Sequence, residues 1–267
     1  MERKIIFFDV DGTIFSPQIG AITDKVKKSI AATREKGHLC FIASGRPYSF
    51  IAENVKEIGF DGYILVNGAQ IRYQDKDIKT QYMNYEDSKE LCHRLRAKNI
   101  GYMLATPSLS YMGLHYIGSQ SFYAMQRFYS RCNIDFKDFV YDYNEDEILH
   151  QIVKMEVWAK NEEELIYAVN CFQKFAYTIH PCGETLEVYV NGVSKGTGIL
   201  DVLNFLNLPV KNSYCFGNDL NDMEMFGAVG HSIAMGNAVS PLKNIANDIC
   251  LDVMEDGVAI KLNEIFL

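Results

Sequence analysis

The sequence lacks several features that would assign it to whole classes of protein. Asp and Glu number 34 against 26 Lys and Arg, a formal net charge of −8, so there is no basic excess for binding nucleic acid. The seven cysteines are odd in number and scattered, with no Cys-x-x-Cys pair, which favours reduced thiols over disulfides or a zinc site. No signal peptide precedes the first apolar run, and no stretch approaches the ~20 apolar residues of a membrane span. We therefore expect a soluble, cytoplasmic protein with neither nucleic-acid nor membrane partners.

What remains is a chain of 267 residues with alternating strand and helix signals. The apolar runs Ile5–Val10, Leu39–Ala43 and Tyr63–Val66 predict buried strands, and Thr23 predicts the start of a helix over Asp24–Lys36. This order predicts a parallel sheet with right-handed crossovers. The pattern resumes late in the chain, with strands over Thr185–Val190, Tyr214–Gly217 and Ser232–Met235, helices over Ser194–Phe205 and Asp219–Phe226, and two terminal helices.

The middle of the chain differs in composition, being rich in Tyr, Phe and Met. It predicts a strand over Ile152–Trp158 and helices over Glu86–Lys98, Ser119–Arg131 and Asn161–Lys174. We therefore expect an α/β protein: a Rossmann-like parallel-sheet core with helices on both faces, formed by residues 1–82 and 184–267, and an inserted α+β domain at 83–183. Candidate pocket groups are Tyr111, His115, Tyr116 and Tyr123 in the insert and Glu187 near the return to the core. The aromatic residues and His115 are more typical of the insert's own packing than of ligand contacts.

Two carboxylates, Asp9 and Asp11, directly follow the first apolar run. Burying an unpaired carboxylate costs several kcal/mol, so a cation or a phosphoryl group is expected to compensate their charge. Taken alone, Asp9-Val10-Asp11-Gly12-Thr13 could also be an ordinary Asp-Gly turn. The pair nevertheless suits phosphoryl transfer, in which one carboxylate attacks phosphorus and the other moves a proton.

Three further polar clusters fall where strands end or helices begin. In an open α/β sheet, such positions share the edge at which ligands bind. Ser44 and Lys195 could bond phosphoryl oxygens, and Asp9 with the last cluster could supply the oxygen ligands that Mg²⁺ prefers. Each cluster alone could be a turn, a surface charge or a helix start, and only their combination indicates chemistry. The three clusters are Ser44-Gly45-Arg46, Lys195, and Asn218, Asp219, Asn221 and Asp222.

In this combination the whole chain resembles the haloacid dehalogenase superfamily of phosphohydrolases, in its Cof-type branch with a large cap. The resemblance implies that Asp9 is a nucleophile and Asp11 a general acid/base. It also implies that Ser44, Gly45 and Lys195 hold phosphate, and that Asp9 and the Asp11 carbonyl bind Mg²⁺. The matching segments are Asp9–Thr13, Ser44–Arg46, Lys195–Gly196, Gly217–Asp222, Val66–Ala69, Ala234–Ala238 and Glu255–Ala259.

One position departs from that pattern. The fourth motif of these relatives usually begins Gly-Asp, whereas here Asn218 follows Gly217. We expect Asn218 to be the third metal ligand, supported by Asp222. Supporting roles are also assigned to Thr13, Arg46, Asp219 and Asn221.

The expected activity is Mg²⁺-dependent hydrolysis of small phosphomonoesters, such as sugar phosphates, through an aspartyl-phosphate. Two alternatives stay open: a phosphosugar mutase with the same nucleophile, and a non-catalytic protein that binds phosphate ligands. Dinucleotide binding is disfavoured, because Gly196-Thr197-Gly198 lacks a third glycine and does not follow a strand.

Overall fold

The structure is a computed structural model that describes residues 2–16, 18–113, 139–179 and 185–267, together with 122, 123, 126 and 130. His115, Tyr116 and most of the predicted helix over residues 119–131 lie outside the described residues. The chain forms two compact units. Unit 1 comprises Met1–Arg46, Ile51–Lys79 and Val193–Leu267, and unit 2 comprises Pro47–Phe50 and Thr80–Gly192.

The described elements alternate along the chain much as the sequence predicts. The strands are β1 (Ile5–Phe8), β2 (Leu39–Ala43), β3 (Gly62–Leu65), β4 (Gln70–Tyr73), β5 (Lys76–Thr80), β6 (Gly101–Ala105), β7 (Ser110–Met112), β8 (Phe139–Val140), β9 (Lys154–Trp158), β10 (Ala176–Ile179), β11 (Thr185–Tyr189), β12 (Ser213–Gly217), β13 (His231–Ala234) and β14 (Asp248–Ile249). The α-helices are α1 (Asp24–Glu35), α2 (Glu53–Lys56), α3 (Tyr85–Ala97), α4 (Glu145–Leu149), α5 (Glu162–Cys171), α6 (Lys195–Phe205), α7 (Met223–Ala228), α8 (Ser240–Ile245) and α9 (Gly257–Phe266).

Unit 1 contains an eight-stranded sheet in the order β14-β13-β12-β1-β2-β3-β4-β5. The strands from β14 to β3 pair in parallel, which confirms the predicted parallel core. The prediction missed that the sheet continues beyond β3. Strand β4 pairs antiparallel with β3, because the chain reverses at the left-handed residue Asn67 (φ 50°) instead of crossing over through a helix.

Strand β1 lies in the middle of this sheet, and its four residues are apolar. All four are fully buried, as expected for a strand covered on both faces. Helix α1 begins after Thr23, whose hydroxyl accepts a hydrogen bond from the Val26 N–H at 3.3 Å. The helix ends just before Gly37, where φ is +89°, a left-handed conformation that glycine adopts without strain.

Unit 2 is a separate α+β body. Its six-stranded sheet has the order β10-β11-β9-β6-β7-β8, and helix α3 packs on α4, α5 and β6. Helices α3 and α5 lie close to the predicted spans, and each begins at an asparagine cap, Asn84 and Asn161. The apolar residues of these strands and helices form one cluster of buried side chains within the unit.

Candidate active site

Three of the predicted polar clusters meet at one edge of the unit 1 sheet. Strands β1, β2 and β12 are neighbours in parallel register, with Phe8 paired to Ile42 on one side and to Phe216 on the other. Asp9, Ser44 and Asn218 directly follow these strands, so all three leave the sheet at the same edge. This is the edge at which open α/β sheets bind ligands.

Lys195 reaches this edge from the first turn of α6. The helix begins with a capping box, in which the Ser194 hydroxyl accepts from the Thr197 N–H at 3.1 Å and the Thr197 hydroxyl accepts from the Ser194 N–H at 2.8 Å. Only 1% of Lys195 is exposed. Its ammonium donates to Oδ1 of Asp9 at 2.6 Å and to Oδ1 of Asp222 at 2.7 Å. A buried lysine therefore links the first and fourth clusters.

Asp222 is fully buried and organises the loop after β12. Its Oδ2 accepts from the N–H of Asn218 at 2.9 Å and from the N–H of Asp219 at 3.1 Å. These bonds hold the chain in a 3₁₀ turn over Leu220–Asp222, and helix α7 starts only at Met223. The predicted helix over 219–226 is therefore shorter at its N-terminus than expected. Asp222 supports the site by fixing Lys195 and this loop.

The group formed by Asp9, Lys195 and Asp222 carries more negative than positive charge. Burial raises the pKa of Asp9 to about 7; the nearby Lys195 ammonium opposes the shift, and the Asp222 carboxylate adds to it. Burial by itself would lower the pKa of Lys195, but the carboxylates of Asp222 and Asp9 more than offset this effect and raise it. Two buried carboxylates thus share one ammonium, and a further cation would balance their charge.

The second oxygen of Asp9 faces the side-chain amide of Asn218. One atom of this amide lies 3.0 Å from the Thr13 hydroxyl, 3.2 Å from Asp9 Oδ2 and 3.0 Å from the Asp11 backbone oxygen. Gly12 lies directly against the amide: it has φ +81°, and a β-carbon there would lie 2.5 Å from the amide nitrogen. A carboxylate, a carbonyl and an amide thus converge at one point.

This convergence fits a hard cation. Mg²⁺ prefers oxygen ligands and is usually held by one or two carboxylates together with waters and substrate oxygens. Within the described residues, no group of three His, Cys, Asp or Glu side chains could hold a metal ion. The oxygens that would hold Mg²⁺ at this point are those of Asp9, the Asp11 backbone and Asn218. That they do so stays a prediction.

The side chain of Asp11 is paired with Arg46. The Arg46 guanidinium donates from Nε to Oδ2 of Asp11 at 3.0 Å and from Nη2 to Oδ1 at 2.7 Å. The side chain of Asp11 is 46% exposed and that of Arg46 is 14% exposed. The carboxylate is therefore held in one orientation while it remains open to solvent. Sequence reasoning had placed Arg46 in the site without identifying this contact.

The other predicted residues differ in how closely they join the cluster. Ser44 is buried, and its hydroxyl accepts from the Arg46 N–H at 3.2 Å. Gly45 lies between these two residues. Asp219 is exposed and caps the 3₁₀ turn by accepting from the Leu220 N–H at 2.7 Å. Asn221 is exposed, and nothing in the structure assigns it a function.

Sequence reasoning missed the contribution of Asn237, although the surrounding segment had been singled out. Its amide nitrogen donates to the Gly12 carbonyl at 2.8 Å, and its oxygen accepts from the Val253 N–H at 3.1 Å. Asn237 thus ties the loop after β1 to the C-terminal part of the unit. Only the spacing of its segment from the other motifs could have indicated this role.

Comparison with known proteins agrees with this geometry. The sequence model of the haloacid dehalogenase-like hydrolases matches residues 6–262. The chain belongs to this family. It is 29% identical to Bacillus subtilis YkrA, provisionally named a phosphatase, over 100% of this chain and 99% of YkrA. It is also 24% identical to the 5-amino-6-(5-phospho-D-ribitylamino)uracil phosphatase YitU of Bacillus subtilis, over 100% of this chain and 99% of YitU.

Solved structures show the same fold. The haloacid dehalogenase subclass IIB sugar phosphatase BT4131 superposes with a TM-score of 0.81 at 22% identity, covering 98% of each chain. With the family match and the phosphatase relatives, the protein is a phosphatase-type enzyme of the haloacid dehalogenase family. Among the helices that the structure describes, none has the length and apolar character needed to cross a bilayer.

Proposed function

We propose that this enzyme hydrolyses phosphomonoesters of small metabolites, such as sugar phosphates, in a Mg²⁺-dependent reaction through an aspartyl-phosphate on Asp9. In this proposal, residues 1–82 and 184–267 form the catalytic core and residues 83–183 form the cap. The observation that carries the proposal is the position of Asp9. One of its oxygens contacts Lys195, and the other faces Asn218 and the Asp11 carbonyl.

In the first step, a carboxylate oxygen of Asp9 attacks phosphorus and the bond from phosphorus to the ester oxygen breaks. Asp11 gives its proton to the leaving oxygen, which departs as an alcohol. Lys195 and the Ser44 hydroxyl donate to the phosphoryl oxygens as their charge grows in the transition state. Bound Mg²⁺ would supply further positive charge that orients and stabilises the transferred phosphoryl group.

In the second step, a water molecule attacks phosphorus and Asp11 takes its proton. The acyl-phosphate bond breaks, inorganic phosphate leaves, and the Asp9 carboxylate is restored. Asp11 can serve both steps because its side chain lies at the solvent-exposed side of the cluster. Lys195 and Asp222 stay in place throughout, since both are buried and bonded to each other.

The relatives support a small phosphorylated substrate. YitU acts, by its name, on a phosphorylated ribitylamino-uracil, and another relative from Serratia proteamaculans, 26% identical, is named an HMP-PP phosphatase. The net charge of −8 also argues against a polyanionic substrate such as nucleic acid. We therefore propose a single small metabolite carrying a phosphate ester.

The test compares the wild type with Asp9→Asn on p-nitrophenyl phosphate and on a panel of phosphorylated metabolites. Asp24→Asn is the matched control, because Asp24 is exposed in the first turn of α1. We expect Asp9→Asn to lose at least about a thousandfold in kcat, as when other catalytic nucleophiles are removed, and Asp24→Asn to match the wild type. Chelation should abolish wild-type activity and added Mg²⁺ should restore it.

Mass spectrometry of acid-quenched wild-type enzyme should detect a phosphoenzyme that is absent from Asp9→Asn. Two results would contradict the proposal: full activity in excess chelator, or substantial activity in Asp9→Asn. If hexose phosphates were isomerised without release of phosphate, the mutase alternative would replace hydrolysis.

A further inference from the structure

We infer that, without bound metal, the side-chain amide of Asn218 points its nitrogen at the oxygens of Asp9 and Asp11, and that it must flip before its oxygen can bind Mg²⁺. The inference rests on the proposed metal-dependent function. Asn218 then lowers the affinity of the site for Mg²⁺. Without metal, its amide forms hydrogen bonds to the neighbouring oxygens.

The surroundings of the amide favour its nitrogen in the metal-free state. Its inward atom lies near three oxygens, on Thr13, Asp9 and the Asp11 backbone. If this atom is the amide oxygen, only the Thr13 hydroxyl can donate to it, at 3.0 Å. The Asp9 carboxylate and the Asp11 carbonyl then face another acceptor at 3.2 and 3.0 Å, which is an unfavourable contact. If it is the nitrogen, its two hydrogens are shared among these oxygens, which lie at 3.0, 3.2 and 3.0 Å.

A bound cation favours the opposite orientation of the amide, with its oxygen pointing inward. Mg²⁺ bound between Asp9, Asp11 and Asn218 needs oxygen atoms directed towards it, and the nitrogen of a neutral amide cannot act as a ligand. The amide must therefore rotate by a half turn and give up its hydrogen bonds to Asp9 and Asp11. Metal binding replaces contacts that the protein already makes, which lowers the apparent metal affinity.

The backbone of Asn218 confines the change to this half turn. Its N–H donates to Asp222 at 2.9 Å, and its carbonyl accepts from the Val239 N–H at 2.9 Å. Gly12 lies against the outward atom of the amide, because a β-carbon there would be 2.5 Å away. Hydrogen bonds thus hold the main chain of Asn218 on both sides. The terminal bond of its side chain has a roughly twofold preference, so it can rotate by a half turn without moving the backbone.

The test is Asn218→Asp, which has nearly the same shape but no donor and one negative charge. In chelator we expect this variant to unfold at a lower temperature than the wild type, because a carboxylate then faces Asp9. By isothermal titration calorimetry we expect it to bind Mg²⁺ at least about ten times more tightly, since ligand charge sets cation affinity. Asn204→Asp is the matched control: it makes the same change at an exposed position of α6 and should match the wild type in both measurements.

A second readout follows the amide itself. In ¹⁵N-labelled protein, the Asn218 side-chain signals can be assigned by their absence from Asn218→Asp. We expect these protons to be protected from exchange in chelator, and to shift and lose protection when Mg²⁺ saturates the site. Signals that Mg²⁺ leaves unchanged, or equal Mg²⁺ affinity in wild type and Asn218→Asp, would overturn the inference alone. Mg²⁺ binding to neither protein would overturn the metal-dependent function as well.

Discussion

Replacement of Asp222 by Asn gives a direct measure of how the buried charges hold the site together. Asp222 is fully buried and accepts three hydrogen bonds, from the Lys195 ammonium and from two backbone N–H groups. Asparagine has the same size, and its oxygen can keep the two bonds from the loop. Its amide nitrogen would then face the ammonium of Lys195, so a donor would meet a donor.

The expected cost follows from these contacts. A hydrogen bond to a charged group contributes about 1.5–3 kcal/mol, and the bonds from the loop weaken by roughly half when their acceptor becomes neutral. Breaking a buried ion pair costs about 3–5 kcal/mol when a charge is left alone, but Lys195 keeps Asp9 at 2.6 Å. Removing one of the two carboxylates also relieves their mutual repulsion. We therefore expect a net loss of about 2 kcal/mol in the free energy of unfolding.

Urea denaturation in chelator, followed by circular dichroism, measures this loss. The matched control is Asp219→Asn, which makes the same chemical change on the same loop at an exposed position. Asparagine also caps helices well, so the control should stay within about 0.5 kcal/mol of the wild type. If Asp222→Asn were as stable as the control, the Lys195–Asp222 bond would contribute nothing, and our account of how this loop is fixed would be wrong.

Two further predictions concern Arg46 and His38. Arg46→Lys should lower kcat at least about tenfold for alkyl phosphates and less for p-nitrophenyl phosphate, because a lysine cannot hold Asp11 through two parallel bonds. The control, Arg34→Lys, disrupts an equally bidentate pair outside the site and should leave kcat unchanged; equal losses in both would refute a positioning role. Burial lowers the pKa of His38 below its usual 6.5, so the unfolded state binds a proton first. Its contribution to stability is present above pH 6.5 and is lost as pH falls below it; a urea midpoint whose change from pH 7 to 5 is the same in His38→Gln would contradict this.

The positions of the polar clusters of the candidate site could be predicted because they depend on local patterns. The apolar run of β1 marks a doubly covered strand, and in-register parallel strands necessarily bring Asp9, Ser44 and Asn218 to one edge. Ser194 marks the start of α6, which places Lys195 in its first turn. These inferences require only periodicity and capping rules, so they do not depend on distances between side chains.

The pairings within the site could not be predicted in this way. Nothing in the spacing of Arg46 shows that its guanidinium meets Asp11, since the two residues lie on different loops. The 3₁₀ turn before α7 could not be predicted for a similar reason. The Asp222 carboxylate is bonded to the backbone N–H groups at the start of the turn, a contact formed across the loop. Strand β4 was missed because the chain reverses at Asn67 directly after the third predicted strand.

The charge at this edge gives a physical reason for asparagine at position 218. An aspartate there would place a third carboxylate about 3 Å from the second oxygen of Asp9, with Lys195 as the ammonium between Asp9 and Asp222. Two unit charges 4 Å apart interact by about 4 kcal/mol at an effective dielectric constant of 20. That is a large part of the 5–15 kcal/mol by which a domain is stable. An amide removes this repulsion when no cation is bound, and on the proposed function weaker Mg²⁺ binding would follow.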